Sequence, residues 1–274
     1  MTMIINNNIS ALNAYRNTND VNTRVEKSTE KLSSGLTINR AGDDAAGLAI
    51  SEKMRGQIKG LDMATKNAQN GISMIQTSEG ALNETHAIIQ RMRELAVQSA
   101  NDTNTDSDRE KLQLEGTQLV EELNRIAETT EFNTRTLMDG EFEGEGVKFH
   151  IGANKDQSVE LKFNDMKADA LGLSDFDIKD GESANSAIDL VNNALESVSS
   201  ERAKLGATQN RLEHTINNLR VSGENLQAAE SRIRDADMAN EMVKFSKDQI
   251  ISQSGTAMLA QANTAPQSVL QLLR

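Results

Sequence analysis

VNNALESVSSERAKLGATQNRLEHTINNLRVSGENLQAAESRI, residues 191–233, decides how this chain folds. Val191, Val198, Leu205, Leu212, Leu219, Leu226 and Ile233 recur at a strict seven-residue step. That step keeps one apolar stripe turned toward a partner helix over many turns, and at about 1.5 Å of rise per residue the stripe runs roughly 60 Å. Ile188, Leu195 and Ile216 occupy interleaved positions, whereas Arg202, Gln209, Gly223 and Glu230 fill the others and are expected at the solvated edge of a bundle. A second ladder, Met54, Leu61, Ala68, Ile75, Leu82, Ile89 and Ala96, has the same period. Two such ladders predict a mainly α fold, a long-helix bundle or coiled coil, whose function lies in what it packs against rather than in a pocket.

Composition agrees. Hydrophobic residues are 37% and aromatics 3% of the 274, with no Trp and one Tyr, so the side chains that thicken a globular core are scarce. The single proline, Pro266, leaves most of the chain free to be helical. A net charge of −12 argues against nucleic acid and anionic membranes as partners. No cysteine is present for a disulfide, a zinc ribbon or a thiol nucleophile. Met3, Ile4 and Ile5 give way at once to three asparagines, so no cleaved secretory signal is expected, and no apolar run reaches the roughly 20 residues that span a bilayer.

Along the chain, Ile5, Ile9, Leu12, Val21, Val25 and Leu32 predict an amphipathic helix over 4–36, broken by Gly35 and residues 39–44. Asp43 or Asp44 is placed to cap the helix that carries the first ladder to about Ala100. After a polar turn at 101–108, Ser107 with Glu110 reads as a capping box for a helix bearing Leu112, Leu119, Leu123 and Ile126. Asp102, Asn104 and Asp106 have the spacing of a calcium loop but lack its glycine and its closing glutamate. Between Phe132 and Asp180 the alternations Val147, Phe149, Ile151 and Val159, Leu161, Phe163 predict a small β-hairpin lying on the bundle. Helix resumes near Ser183.

Catalytic chemistry finds no footing. His86, His150 and His214 are the only histidines, none in a metal-ligand spacing, and neither a phosphate-binding glycine loop nor a nucleophile elbow occurs. The chain is expected to be no enzyme and to hold no cofactor or metal. Both ends carry apolar stripes with too little partner surface inside one subunit, the second through Met238, Met242, Phe245, Met258, Leu259, Val269, Leu270, Leu272 and Leu273. Such ends pair with each other and with neighbouring copies, or fold on assembly.

The ends also carry a resemblance. KLSSGL at 31–36, DDAAGLAIS at 43–51, NGIS at 70–73, AESRIRDADMA at 229–239, GTAMLAQAN at 255–263 and PQSVLQLLR at 266–274 resemble the bacterial flagellins, of a short type. The resemblance implies an inner filament domain made of residues 1–43 and 235–274, an outer rod-like helical domain over 44–234, and a homopolymer that forms the swimming filament. It implies that about 50 residues, Phe132 to Ser183, stand where many members have large variable domains, and the lack of an H-E-x-x-H motif in that interval argues against the peptidase that some carry there. It also implies export through the flagellar type III channel to the extracellular flagellum, a secretion chaperone on the carboxyl-terminal stripe, and junction and cap proteins at the filament ends. Ile5, Ile9, Leu12, Met258, Leu259, Val269, Leu270, Leu272 and Leu273 would serve assembly or the chaperone. A hook–filament junction protein has similar ends, but the continuous motifs favour the main filament subunit. Lastly, QRMRELAVQ at 90–98 resembles the segment that vertebrate Toll-like receptor 5 recognises, which implies contacts by Gln90, Arg91, Arg93, Glu94, Leu95 and Gln98, joined by Glu115. Arg91 and Leu95, four apart, are expected to share one exposed face.

Overall fold

A computed structural model describes residues 8–144 and 146–272, with side chains described as far as Thr264. In chain order the elements are α1 (Ile9–Ser34), α2 (Ala45–Ser99), α3 (Asp106–Thr129), β1 (Glu131–Phe132), β2 (Arg135–Thr136), α4 (Glu141–Gly144), β3 (Val147–His150), β4 (Ser158–Leu161), α5 (Gly181–Arg234) and α6 (Met238–Leu272). The mainly α reading holds, with α2 and α5 reaching 55 and 54 residues. The chain divides into two compact units, residues 1–56 with 225–274 and residues 57–224.

In the 57–224 unit the ladders form the core. Every rung from Ala68 to Ala96 on α2 and from Val191 to Leu219 on α5 is buried. A second row, invisible to an apolar count, runs beside each. On α2 it is Ala64, Gly71, Ser78, Thr85, Met92 and Ser99, and on α5 Ala187, Ala194 and Glu201, all buried. Ile188 and Leu195, expected to complete the seam, are only half-buried, and Arg202 and Gln209 on the same row are half-buried rather than solvated. Small residues won the inner row because they let neighbouring elements come close: Leu212 of α5 and Phe149 of β3 both crowd the Cα of Gly71.

The segment between α3 and α5 supplies the bulk that the ladders lack. Leu137, Met138, Phe142, Phe163, Met166, Leu173, Phe176 and Ile178 join the same core, and the rings of Phe142 and Phe163 meet edge to face at 6.4 Å. The predicted hairpin is present in register, Val147 opposite Leu161 and Phe149 opposite Val159, and Asn67 of α2 donates to the His150 carbonyl to hold it down. The β1–β2 hairpin and α4 had no counterpart in the sequence pattern. Side chains from α3 stand in for strand partners: Gln113 donates to the Phe176 carbonyl and accepts from Ile178 N–H, and Asn124 accepts from Ala168 N–H. Each satisfies buried backbone that has no ladder of its own.

In the other unit α1 and α6 run antiparallel, and the two junctions beside them are stitched together. Thr37 N–H donates to the Arg234 carbonyl at 2.7 Å and Ala236 N–H to the Gly35 carbonyl at 2.9 Å, forming an isolated bridge between Leu36 and Asp235. Gly35 closes α1 in the left-handed conformation at φ 72°, its N–H returning to the Lys31 carbonyl, a geometry glycine adopts without a Cβ penalty.

Aspartates punctuate the helices. Asp44 accepts from the backbone of Ala46 and Gly47 and caps α2, whereas Asp43 turns back to accept from Asn39 and Arg40. Asp180 caps α5, which therefore begins slightly earlier than expected, and Asp237 caps α6. The expected capping box of Ser107 and Glu110 is displaced by one of Thr105 and Asp108, because α3 starts at Asp106. Backbone donors hold the carboxyls of Asp43, Asp180 and Asp237 below the ordinary aspartate range. A carboxyl whose folded value is depressed stabilises the fold above its unfolded value and loses that contribution as pH falls through the folded value. Thermal melts followed by circular dichroism should therefore hold steady down to about pH 4 and fall below it. Asp237→Asn, which keeps an accepting oxygen and removes the charge, should flatten part of that fall.

Candidate assembly and recognition surfaces

The α1/α6 pair is built inside out. The seam between the helices is polar: Ser28 Oγ donates to Glu241 at 2.8 Å, Ser252 Oγ to Asn22 at 2.8 Å, and Asn8 Nδ2 to the Ala262 carbonyl at 2.7 Å, while Arg24 pairs with Asp248 at 3.4 Å. Desolvation pushes the buried Glu241 carboxyl up, but hydrogen bonds from Ser28 and Lys244 outweigh it and hold it below its usual range. Gly255 allows the closest approach, since a Cβ there would stand 2.8 Å from Thr18 Oγ1. Thr18, Val21 and Ser28 are the buried residues of α1. Val21 apart, few apolar side chains of the pair are buried, and many stay in water. Ile9 is 58% exposed, Leu12 59% and Met258 67%, and Tyr15, Met242, Val243 and Ile250 are also exposed.

Of the residues expected to serve assembly, Ile9, Leu12 and Met258 thus present free apolar surface and Leu259 is half-buried. Val269, Leu270 and Leu272 lie on α6 with side chains outside the described residues, and Ile5 and Leu273 fall outside the described residues altogether. Among the described residues no helix is long and apolar enough to cross a membrane.

The stretch 90–98 lies on α2, and the structure divides it into two faces. Arg91 Nε donates to Glu115 Oε1 of α3 and its NH1 to Glu94 Oε2, each at 2.9 Å, a fork that locks the guanidinium between two helices. These bonds, Glu115 first, raise the Arg91 pKa further above its ordinary value. Gln90, Arg93, Glu94 and Gln98 are exposed beside it, and Gln90 bonds to His86. Leu95 corrects the expectation. It is 0% exposed and belongs to the core cluster with Met92 and Ala96, so it shares no solvent face with Arg91. A four-residue step differs by about 40° around a helix, enough to carry one residue over the rim of the buried stripe. The residue that spacing overlooked is Leu114 of α3, large, apolar and exposed next to Glu115; a lone leucine outside the heptad rows was the available signal.

Residues 5–143 match the bacterial flagellin N-terminal helical region and residues 188–273 the bacterial flagellin C-terminal helical region. A flagellin of Halalkalibacterium halodurans is 57% identical over 274 residues, covering 99% of this chain and 100% of that one. The chain belongs to the bacterial flagellins. A flagellin of Bacillus subtilis is 53% identical over 304 residues, covering 99% of this chain and 100% of that one. The crystal structure of Bacillus cereus flagellin superposes with a TM-score of 0.50 at 29% identity, covering 56% of this chain and 88% of that one.

As a flagellin the chain is a structural subunit of the flagellar filament, polymerises with itself outside the cell and is not an enzyme. The junction-protein alternative is not favoured. The exposed apolar sides of α1 and α6 match what a polymer subunit needs, and the polar rim of Arg91 is a separate surface on the other unit. Leu95→Ala should behave as a core truncation in this flagellin, lowering unfolding free energy by about 2–5 kcal/mol, whereas Arg91→Ala should leave it within about 1 kcal/mol of the parent. Denaturant titration of both variants distinguishes a buried leucine from a surface contact.

Proposed function

We propose that copies assemble through the outward apolar sides of α1 and α6, with residues 1–43 and 235–274 forming the inner domain of the filament and 44–234 the outer helical domain. The observation that carries this is the inversion of the terminal pair, which buries hydroxyls and a carboxylate while Ile9, Leu12, Met258 and their neighbours stay in water. An apolar surface left open in this way marks a contact site. Before export through the flagellar type III channel, a secretion chaperone covers the stripe that includes Leu259, Val269, Leu270, Leu272 and Leu273. Junction and cap proteins meet the same helices at the two ends of the filament. Deleting residues 236–274 should abolish filaments in negative-stain images while the 57–224 unit keeps its helical signal. Serine at Leu259, Leu270 and Leu273 should lower chaperone recovery in pull-downs; unchanged recovery would sink that part.

The monomer is also recognised by vertebrate Toll-like receptor 5, through Gln90, Arg91, Arg93, Glu94 and Gln98 with Glu115. The Arg91 fork to Glu94 and Glu115 supports this, because it places a charged group on the exposed face shared with Gln90, Arg93 and Gln98, where a partner could reach it. Leu95 acts beneath that surface by holding the ridge in place. Arg91→Ala should weaken receptor binding by the monomer about tenfold, read by surface plasmon resonance. An unchanged affinity would remove this face from the assignment.

A further inference from the structure

Charge is distributed unevenly along this chain. Residues 57–224 contain 30 Asp and Glu against 17 Lys and Arg, whereas the remaining residues contain 11 against 12. Within the near-neutral terminal unit, five of the twelve Lys and Arg line one groove of about 320 Å³ between α1 and α6. Arg24, Lys27 and Lys31 line it from α1, and Lys244 and Lys247 from α6. Its two carboxylates are already engaged, Glu241 with Ser28 and Lys244, and Asp248 with Arg24. Lys27, Lys31 and Lys247 have no carboxylate within 4.0 Å among the described residues.

Helical geometry puts the complement on the same helix. At about 100° per residue, Arg24, Lys27 and Lys31 cluster on one flank of α1, and Glu26 and Glu30 lie roughly 110° further from the seam, on the side opposite the sector that Ser28 and Val21 turn toward α6. Glu26 is exposed and has neither an ion pair nor a hydrogen bond among the described residues; Glu30 reaches only Arg40. The terminal unit therefore carries a basic flank with more cations than carboxylates, and a second flank on which Glu26 is unpaired among the described residues and Glu30 pairs with Arg40.

We propose that the basic groove of one copy receives the Glu26 and Glu30 flank of a second copy. This contact rests on self-polymerisation and gives it a direction. Two different patches on different sides of one unit make a head-to-tail contact, which propagates as an open helix instead of closing into a dimer. The apolar sides of α1 and α6 supply attraction without direction, and the charged flanks supply the register and exclude the reversed pairing, in which like charges would meet.

Polymerisation of the full chain tests this. Lys27→Glu with Lys247→Glu, and separately Glu26→Lys, should each raise the critical concentration about fivefold at low ionic strength. Combining the three substitutions should bring it back toward the parent value, since the charges are exchanged rather than lost. In about 1 M salt, where screening acts over roughly 3 Å, the differences should shrink. Circular dichroism of the monomers confirms that each variant folds. Unchanged assembly in the two single-flank proteins, or a combined protein no better than either, would overturn the contact. A parent protein that does not polymerise would overturn the filament reading and the contact with it.

Discussion

Glu241 and Ser28, buried together between α1 and α6, fix what the terminal helices can do. A hydrogen bond between protein groups replaces bonds to water, so its net contribution is about 1 kcal/mol, somewhat more where one partner is charged. Covering a large apolar side chain contributes about 1.5–3 kcal/mol. The seam holds a handful of the first kind, while Ile9, Leu12, Tyr15, Met242, Val243, Ile250 and Met258 offer the second kind and leave it unused in the isolated chain. Ordering two long helices costs backbone and side-chain entropy that such a seam does not offset by itself. The polar contacts are suited instead to setting which residues face each other, because Ser28 opposite Glu241 and Asn22 opposite Ser252 are satisfied in one antiparallel register and unsatisfied in a shifted one. The register is thus set within the chain, and further stability has to come from covering those exposed side chains.

The 57–224 unit is arranged the other way round. Its ladders close on each other and on the segment after α3, so Ile75, Leu82, Ile89, Leu123, Leu205 and Leu212 are almost entirely buried within one chain. Its irregular stretch would leave backbone polar groups stranded against this core, and Gln113, Asn124 and Asn67 answer several of them. Arg109 does the same at the end of α2, donating to the Ser99 carbonyl, which has no helical partner there. A unit that buries most of its large apolar side chains within one chain can fold before assembly, although Ser78 Oγ, His86 Nδ1 and Arg202 Nε are buried there without a partner among the described residues.

How much of this could be read from the residues follows from what periodicity measures. The ladder of Val191 to Leu219 was legible because large apolar side chains at a strict seven-residue step suit little besides the seam of a long helix. The 147–163 hairpin was legible because alternation with a polar turn between is equally specific. The inner row of Ser78, Thr85, Ser99 and Ala194 was not legible, since small residues are buried for closeness and leave no hydrophobic signal. Thr105 took the cap from Ser107 because the choice between adjacent capping residues depends on where the preceding turn ends. Leu95 defeated the surface reading for a related reason: a short motif says which residues travel together, and only the packing of α2 against α3 and α5 says which of them stay outside.

The separation of charge adds a constraint on any assembly built from this chain. If the excess acid of residues 57–224 were spread evenly, each terminal helix pair would carry net negative charge, and like charges would accumulate in any assembly that packed those pairs together. With 11 acidic against 12 basic residues in the terminal unit, close packing there gathers no such repulsion. The acid on the other unit acts between separate particles, where the Debye length of about 8 Å at physiological salt confines it to near contact and discourages sideways clumping. An apolar, near-neutral unit and an acidic one thus lie on the same chain, and a contact through the first is the one that charge repulsion opposes least.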